Sequence, residues 1–201
     1  MDSGFFATED GFDLRIAGLT VLRHRDSCPA VSIAHGAAEV TMRHGNFRIE
    51  DAPSDRVEGG AWSLDERTVT FDGNVVLAFD SASLALTVTA LASSADRIWL
   101  RLHAQPGEQV WGGGEQMSYL ALRGRRFPMW TSEPGVGRDK TTELTRIMDD
   151  QGMAGGDFWT TNYPQPTFLS SRNYACHLDG TTYSALDFTA ENRHEIGRAH
   201  V

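Results

Sequence analysis

The chain has 201 residues, 40% of them hydrophobic and 22% charged, and a formal net charge of −9. A chain of that length buries a full core without a disulfide or metal staple, and it holds one large domain or one domain and part of another. Its acidic balance argues against nonspecific nucleic-acid binding and against anionic membranes.

The N-terminus, MDSGFFATEDGFDLRI, has no basic start and no apolar run of secretory length. No stretch approaches the ~18 apolar residues of a membrane helix, so a cytoplasmic location is the expectation. Cys28 and Cys176 are far apart and in no spacing motif, and are expected to be reduced, buried thiols rather than a bridge.

Residues 1–105 read as strands. AEVTMRH, NFRIED, RTVTFDGNVVLAF, LALTVTAL and RIWLRLHA are rich in β-branched and aromatic residues. Leu84, Leu86 and Val88 alternate with Ala85, Thr87 and Thr89; Ile98, Leu100 and Leu102 alternate with Trp99, Arg101 and His103. This period of two predicts that the six aliphatics face a shared core. Asp72-Gly73-Asn74 separates TVTF from VVLAF, and Asp-Gly supplies the positive φ of a tight turn, so these strands are expected to pair antiparallel. No window here shows capped helical periodicity. Many short strands joined by turns predict a mainly β chain, a sandwich or a barrel.

Residues 106–170 differ: PGEQVWGGGEQ, RGRRFPMW, SEPGVGR and NYPQPTF are dense in Gly and Pro. Loops this long in a compact domain are functional or disordered, and the aromatics argue against disorder. Residues 171–194 return to strand-like alternation around Asp179-Gly180. The last residues, EIGRAHV, abandon that pattern. Read back as GAG-ATC-GGA-AGA-GCA-CAC-GTC, they match a widely used sequencing-library adaptor in frame. Glu195–Val201 are therefore expected to be a non-native tail that carries no structural argument.

Gly112–Gly114 lacks the Gly-Lys-Ser/Thr that cradles phosphate, and GVGRDK lacks the third glycine of a dinucleotide fingerprint. The histidines show no metal-ligand spacing. No cofactor and no metal are predicted. Glu115 with Glu133, or Asp139 with Glu143, are candidate carboxylate pairs, but loop carboxylates are more often solvated or paired with arginines such as Arg123, Arg125, Arg126 and Arg138. No Gly-x-Ser-x-Gly elbow marks a nucleophilic serine.

The loop aromatics have a more specific reading. A sugar presents apolar C–H faces and a rim of hydroxyls, so its site needs flat rings beside carboxylate, amide and guanidinium groups. Trp130 near Glu133 fits. So do Glu115 and Gln116, placed after glycines that let the backbone approach a ligand closely. The competing reading is that Trp130, Trp159 and Phe168 fill a hydrophobic seam, and spacing does not separate the two.

The runs GGGEQMSYLALRGRRFPMWTSEPGVGR and AGGDFWTTNYPQPTFLSSRNYACHLDGTTYSALDF closely resemble the N-terminal region of bacterial glycoside hydrolase family 31, within it the sulfoquinovosidase-type α-glucosidases. The resemblance is strong over about residues 105–190 and compatible before that. It implies a galactose-mutarotase-like antiparallel β-sandwich over residues 1–194, with residues 106–170 forming an arm toward a (β/α)₈ barrel. It implies retaining hydrolysis of an α-glycoside, a sulfoquinovoside or a glucoside, by two aspartates about 5–5.5 Å apart. Both belong to the barrel, which nothing here matches, so no catalytic residue is assigned and this chain alone is expected to be inactive. Glu115, Gln116, Trp130, Glu133 and Arg138 are carried over as substrate-rim candidates. The implied partners are a carbohydrate and the chain's own missing barrel. The alternative is a free-standing carbohydrate-binding or mutarotase-like module, for which His103 and His177 are the acid/base candidates.

Overall fold

A computed structural model describes residues 3–43, 46–72, 74–90 and 95–199. The described residues form antiparallel strands and one helix, grouped in two compact units. No helix among them is long and apolar enough to cross a membrane.

The first unit comprises Met1–Gly36, Pro53–Pro106 and Glu191–His200. Its strands are β1 (Gly4–Thr8), β2 (Gly11–Ile16), β3 (Leu19–Arg25), β4 (Val31–Ala34), β7 (Val57–Glu58), β8 (Trp62–Asp65), β9 (Thr68–Phe71), β10 (Val75–Asp80), β11 (Ala85–Ala90), β12 (Arg97–His103) and β18 (Arg193–Ala199). One sheet runs β1-β2-β3-β12-β18, with β4 pairing both β12 and β7. A second runs β11-β10-β9-β8. Alternation builds the core between them. Val69, Phe71, Val75, Leu77 and Phe79 point inward from β9 and β10, and Phe5, Phe12 and Leu14 from β1 and β2. Phe12 meets Phe71 at 6.0 Å between centroids, and Phe5 meets Phe79 at 6.4 Å. Each such side chain contributes about 1.5–3 kcal/mol by leaving water.

The β9–β10 hairpin forms as expected, with Phe71 opposite Val75. Asp72 takes φ 38°, and Asn74 N–H donates to the Phe71 carbonyl at 2.6 Å; Gly73 lies outside the described residues. The expected shared core needs correction. Leu84 is 53% exposed, because it sits at φ 57° in the turn before β11. Leu86, Val88, Ile98 and Leu100 are only half-buried, and of the six aliphatics Leu102 alone is fully buried. The reason on β12 is that its other face is covered too. Trp99 is buried beneath the Arg56 guanidinium, 3.9 Å above its ring, and Arg101 is bonded by Glu58 and Glu195.

Residues Glu195–Ala199 do not abandon the strand pattern, and His200 and Val201 lie outside the described residues. Residues 195–199 continue β18, pairing in register with β12 from Arg193↔His103 to Ala199↔Arg97. The β12 edge offers backbone donors and acceptors irrespective of side-chain period. Glu195 adds ion pairs to Arg56 and Arg101, and Ile196 is buried.

The second unit comprises Ala37–Ala52 and Gly107–Ala190. Its elements are β5 (Gly36–Arg43), β6 (Asn46–Pro53), β13 (Val110–Gly114), β14 (Arg126–Met129), α1 (Glu143–Gly152), β15 (Pro164–Ser170), β16 (Tyr174–His177) and β17 (Tyr183–Asp187). β5 pairs with β6, β13-β15-β16 form a three-stranded sheet, and β14 pairs with β17. Leu122, Phe127, Phe168, Leu186 and Phe188 are fully buried, with Phe168 edge-on to Phe188 at 5.2 Å. The second unit thus has its own core, to which the irregular arm contributes Leu122, Phe127 and Phe168. Its helix leaves its apolar residues Leu144 and Ile147 exposed and owes its limits to caps. The Thr142 side chain accepts from Thr145 N–H, Glu143 complements the N-terminal dipole, and Met153 closes the end in the left-handed conformation.

Cys28 and Cys176 are free thiols. Cys28 is exposed rather than buried, whereas burial pushes the Cys176 thiol up to about 11.

Candidate functional site

The five rim candidates all lie in the second unit. Glu115 and Gln116 follow the end of β13, and Trp130 follows the end of β14. Glu133 and Arg138 lie in the loop leading to α1. Short-range sequence does not bring these stretches together. The segment Thr160–Tyr163 does. Its Tyr163 carbonyl accepts from Glu115 N–H at 3.0 Å, and its Thr161 carbonyl from Ser132 N–H at 3.0 Å. Its Thr160 carbonyl accepts from Arg138 Nη1 at 3.0 Å. The other Arg138 nitrogen, Nη2, reaches Met117 Sδ at 2.8 Å, two residues beyond Glu115. Three carbonyls within four residues therefore hold three parts of the candidate site. Sequence reasoning missed Thr160–Tyr163, since a backbone acceptor leaves no mark in residue type.

The glycines before Glu115 meet a steric demand within the chain itself. Gly112, Gly113 and Gly114 all have positive φ, at 123°, 76° and 83°. A Cβ on Gly112 or Gly114 would fall on the Thr167 or Tyr163 carbonyl, in β15 or just before it. Close approach is real, but it is to the backbone leading into and along β15, across the bulge in the β13–β15 ladder. Gln116 turns back on the same stretch, donating Nε2 to the Gly113 carbonyl at 2.9 Å.

Trp130 meets Trp159 edge-on at 5.0 Å and Tyr183 at 5.1 Å, so part of it fills a seam. It remains half-buried, and its indole N–H is buried without a hydrogen-bond partner. Glu115 and Glu133 are exposed. Asp139 is occupied locally: its Oδ1 accepts from Thr141 N–H at 2.9 Å and from the Thr141 hydroxyl at 2.6 Å, which hold its carboxyl below the usual range.

The loop is braced from behind. Lys140 Nζ donates to the Gly155 carbonyl at 3.0 Å and pairs with Asp149 at 3.1 Å and Asp157 at 3.7 Å. Burial pushes the Asp157 carboxyl up while Lys140 pulls it down, and burial wins. At the base of β13, buried Glu108 accepts from Ser170 Oγ and from the Tyr174 hydroxyl at 3.1 Å, with Arg172 at 3.7 Å. This buried network also escaped the sequence reading.

His177 lies against the Thr167 hydroxyl at 2.7 Å, with no carboxylate in that bond, while His103 lies in the first unit. Among the described residues, no group of three or more His, Cys, Asp or Glu could hold a metal ion.

Residues 9–144 match the model of the glycosyl hydrolase 31 N-terminal galactose mutarotase-like domain. The chain is 46% identical to a sulfoquinovosidase of Agrobacterium fabrum, an alignment covering 96% of this chain and 30% of that protein. It is 36% identical to a sulfoquinovosidase of Escherichia coli, over 98% of this chain and 30% of that protein. The solved family 31 sulfoquinovosidase from E. rectale, in complex with the aza-sugar inhibitor IFGSQ, superposes with a TM-score of 0.85 at 36% identity, over 98% of this chain and 30% of that one. The chain thus spans about a third of the length of the relatives it matches.

Proposed function

The chain belongs to glycoside hydrolase family 31, as its N-terminal galactose mutarotase-like domain, and from that premise we propose that it forms the N-terminal part of a retaining α-glycosidase acting on sulfoquinovosides. The catalytic aspartates would come from a barrel following this domain. The arm of residues 106–170 would pack on that barrel and line its rim, with Trp130 against the sugar face and Glu115, Gln116, Glu133 and Arg138 toward hydroxyls.

The observation that carries this reading is the common anchoring of Glu115, Ser132 and Arg138 on Thr160–Tyr163. It gathers an aromatic, two exposed carboxylates and a guanidinium within one unit on a fixed frame. Met117, Leu120 and Tyr163 beside them are 55%, 81% and 70% exposed. Large apolar side chains grouped in a bonded segment suit a surface covered by another part of the protein.

The test is the genomic reading frame beyond Arg193 together with activity. A continuing frame should encode a barrel with two aspartates at strand ends, and the full-length enzyme should hydrolyse a p-nitrophenyl α-sulfoquinovoside. The 201-residue chain should not. A stop codon there, or turnover by this chain abolished by a substitution within it, overturns the proposal.

A further inference from the structure

Asn46, the first residue of β6, is 8% exposed, and Ser132 is 2% exposed. The Ser132 hydroxyl donates to Asn46 Oδ1 at 3.1 Å, a buried bond between residues 86 apart in sequence. Ser132 also gives its N–H to the Thr161 carbonyl. The loop is therefore pinned from two directions at one residue, and that residue lies between Trp130 and Glu133. Further along, the Val136 N–H donates to the Ala154 carbonyl at 2.7 Å, and Thr160 Oγ1 lies 3.2 Å from the Pro134 carbonyl. The bonds to Thr161 and Ala154 are backbone pairs that survive a change of side chain. The Asn46–Ser132 bond is set by side chains, so it can be removed selectively.

We propose that Asn46 is a positioning residue: through Ser132 it fixes the Trp130–Arg138 loop in the geometry that binds substrate. This rests on the rim reading above. A group placing substrate contacts must itself be locked by its supporting bonds. A buried hydroxyl that loses its acceptor either stays unsatisfied or shifts to find another, and the second response moves the loop.

Two near-isosteric variants test it. Asn46→Leu removes the acceptor, whereas Asn46→Asp keeps one. Amide exchange is measured over residues 130–138 and over β10 in this chain. Values of kcat and KM are measured in the full-length enzyme with p-nitrophenyl α-sulfoquinovoside, beside Glu133→Gln. Asn46→Leu should speed exchange in the loop but not in β10. It should raise KM roughly three- to tenfold, with kcat less affected. Asn46→Asp should return both toward wild type. Should Asn46→Leu fail to fold, Ser132→Ala deletes the donor and carries the same expectation. Unchanged loop exchange, or Asn46→Asp as impaired as Asn46→Leu, overturns the proposal. If Glu133→Gln raises KM and Asn46→Leu does not, the positioning role fails and the rim reading stands. If both leave KM unchanged while exchange rises, the rim reading fails, and the substrate-binding role of Asn46 fails with it.

Discussion

The imidazole of His24 lies flat on the ring of Phe12, with centroids 4.9 Å apart and planes 8° from parallel. Its Nδ1 accepts from the Ala30 N–H at 3.2 Å, which leaves the proton of the neutral ring on Nε2, buried and without a partner. Burial pushes this histidine below its usual value; Asp26 and Glu58 pull it up and Arg25 pulls it down. The unfolded chain therefore takes up a proton that the folded chain resists. The contribution of His24 to stability is complete above the unfolded value of about 6.5 and is lost as pH falls through the folded value. Urea midpoints from pH 7.5 down to pH 5 should fall more steeply for wild type than for His24→Phe, although the variant is weaker at pH 7.5 because Ala30 N–H loses its acceptor. Parallel slopes would remove His24 from the acid response.

Glu108 should be the most sensitive charge of the second unit. It is 3% exposed and serves Ser170, Tyr174 and Arg172 together. Burial, followed by the charge of Glu108, pushes the Tyr174 phenol upward, so it stays a donor at any physiological pH. Glu108→Ala removes the acceptor of the Ser170 and Tyr174 hydroxyls and the carboxylate facing Arg172, and should cost about 3–5 kcal/mol in chemical denaturation. A loss under ~1 kcal/mol would show that water or rearrangement replaces the carboxylate.

Two glycine substitutions separate backbone strain from collision. Gly107 has φ 79°, and a Cβ there would meet nothing within 4 Å, so Gly107→Ala should cost only the left-handed penalty, about 1–2 kcal/mol. Gly114 has φ 83°, and its Cβ would fall on the Tyr163 carbonyl. Gly114→Ala should therefore destabilise by more, at least ~2 kcal/mol, and disturb the Glu115–Tyr163 bond. Equal melting temperatures for the two variants would contradict the contact.

In the full-length enzyme, Glu115→Gln should lower kcat/KM about tenfold or more while leaving the melting temperature unchanged, since it exchanges a charge at an exposed position for an equally shaped amide. Trp130→Ala should lower both, because Trp130 also packs on Trp159 and Tyr183. Wild-type kcat/KM for Glu115→Gln would take that carboxylate out of the rim.

Sequence by itself determined the β class, the β9–β10 hairpin, and the family whose motifs run through Glu115, Trp130 and Arg138. Alternation and turn chemistry are local properties, and they survive translation into structure wherever one sheet face is buried. They misplace Leu84, which a turn exposes, and they do not show that Trp99 is buried under Arg56. Residues 195–199 look patternless yet complete a strand, because an unpaired sheet edge recruits backbone rather than side-chain period. Tertiary structure alone decided that Gly112 and Gly114 admit the backbone of a neighbouring strand. It alone decided that the Thr160–Tyr163 carbonyls gather the candidates, and that Asn46 reaches Ser132 from 86 residues away. The physical reason is shared: backbone acceptors and close approaches carry no residue-type signature, and a hydrogen bond between distant segments exists only once the chain has brought them together.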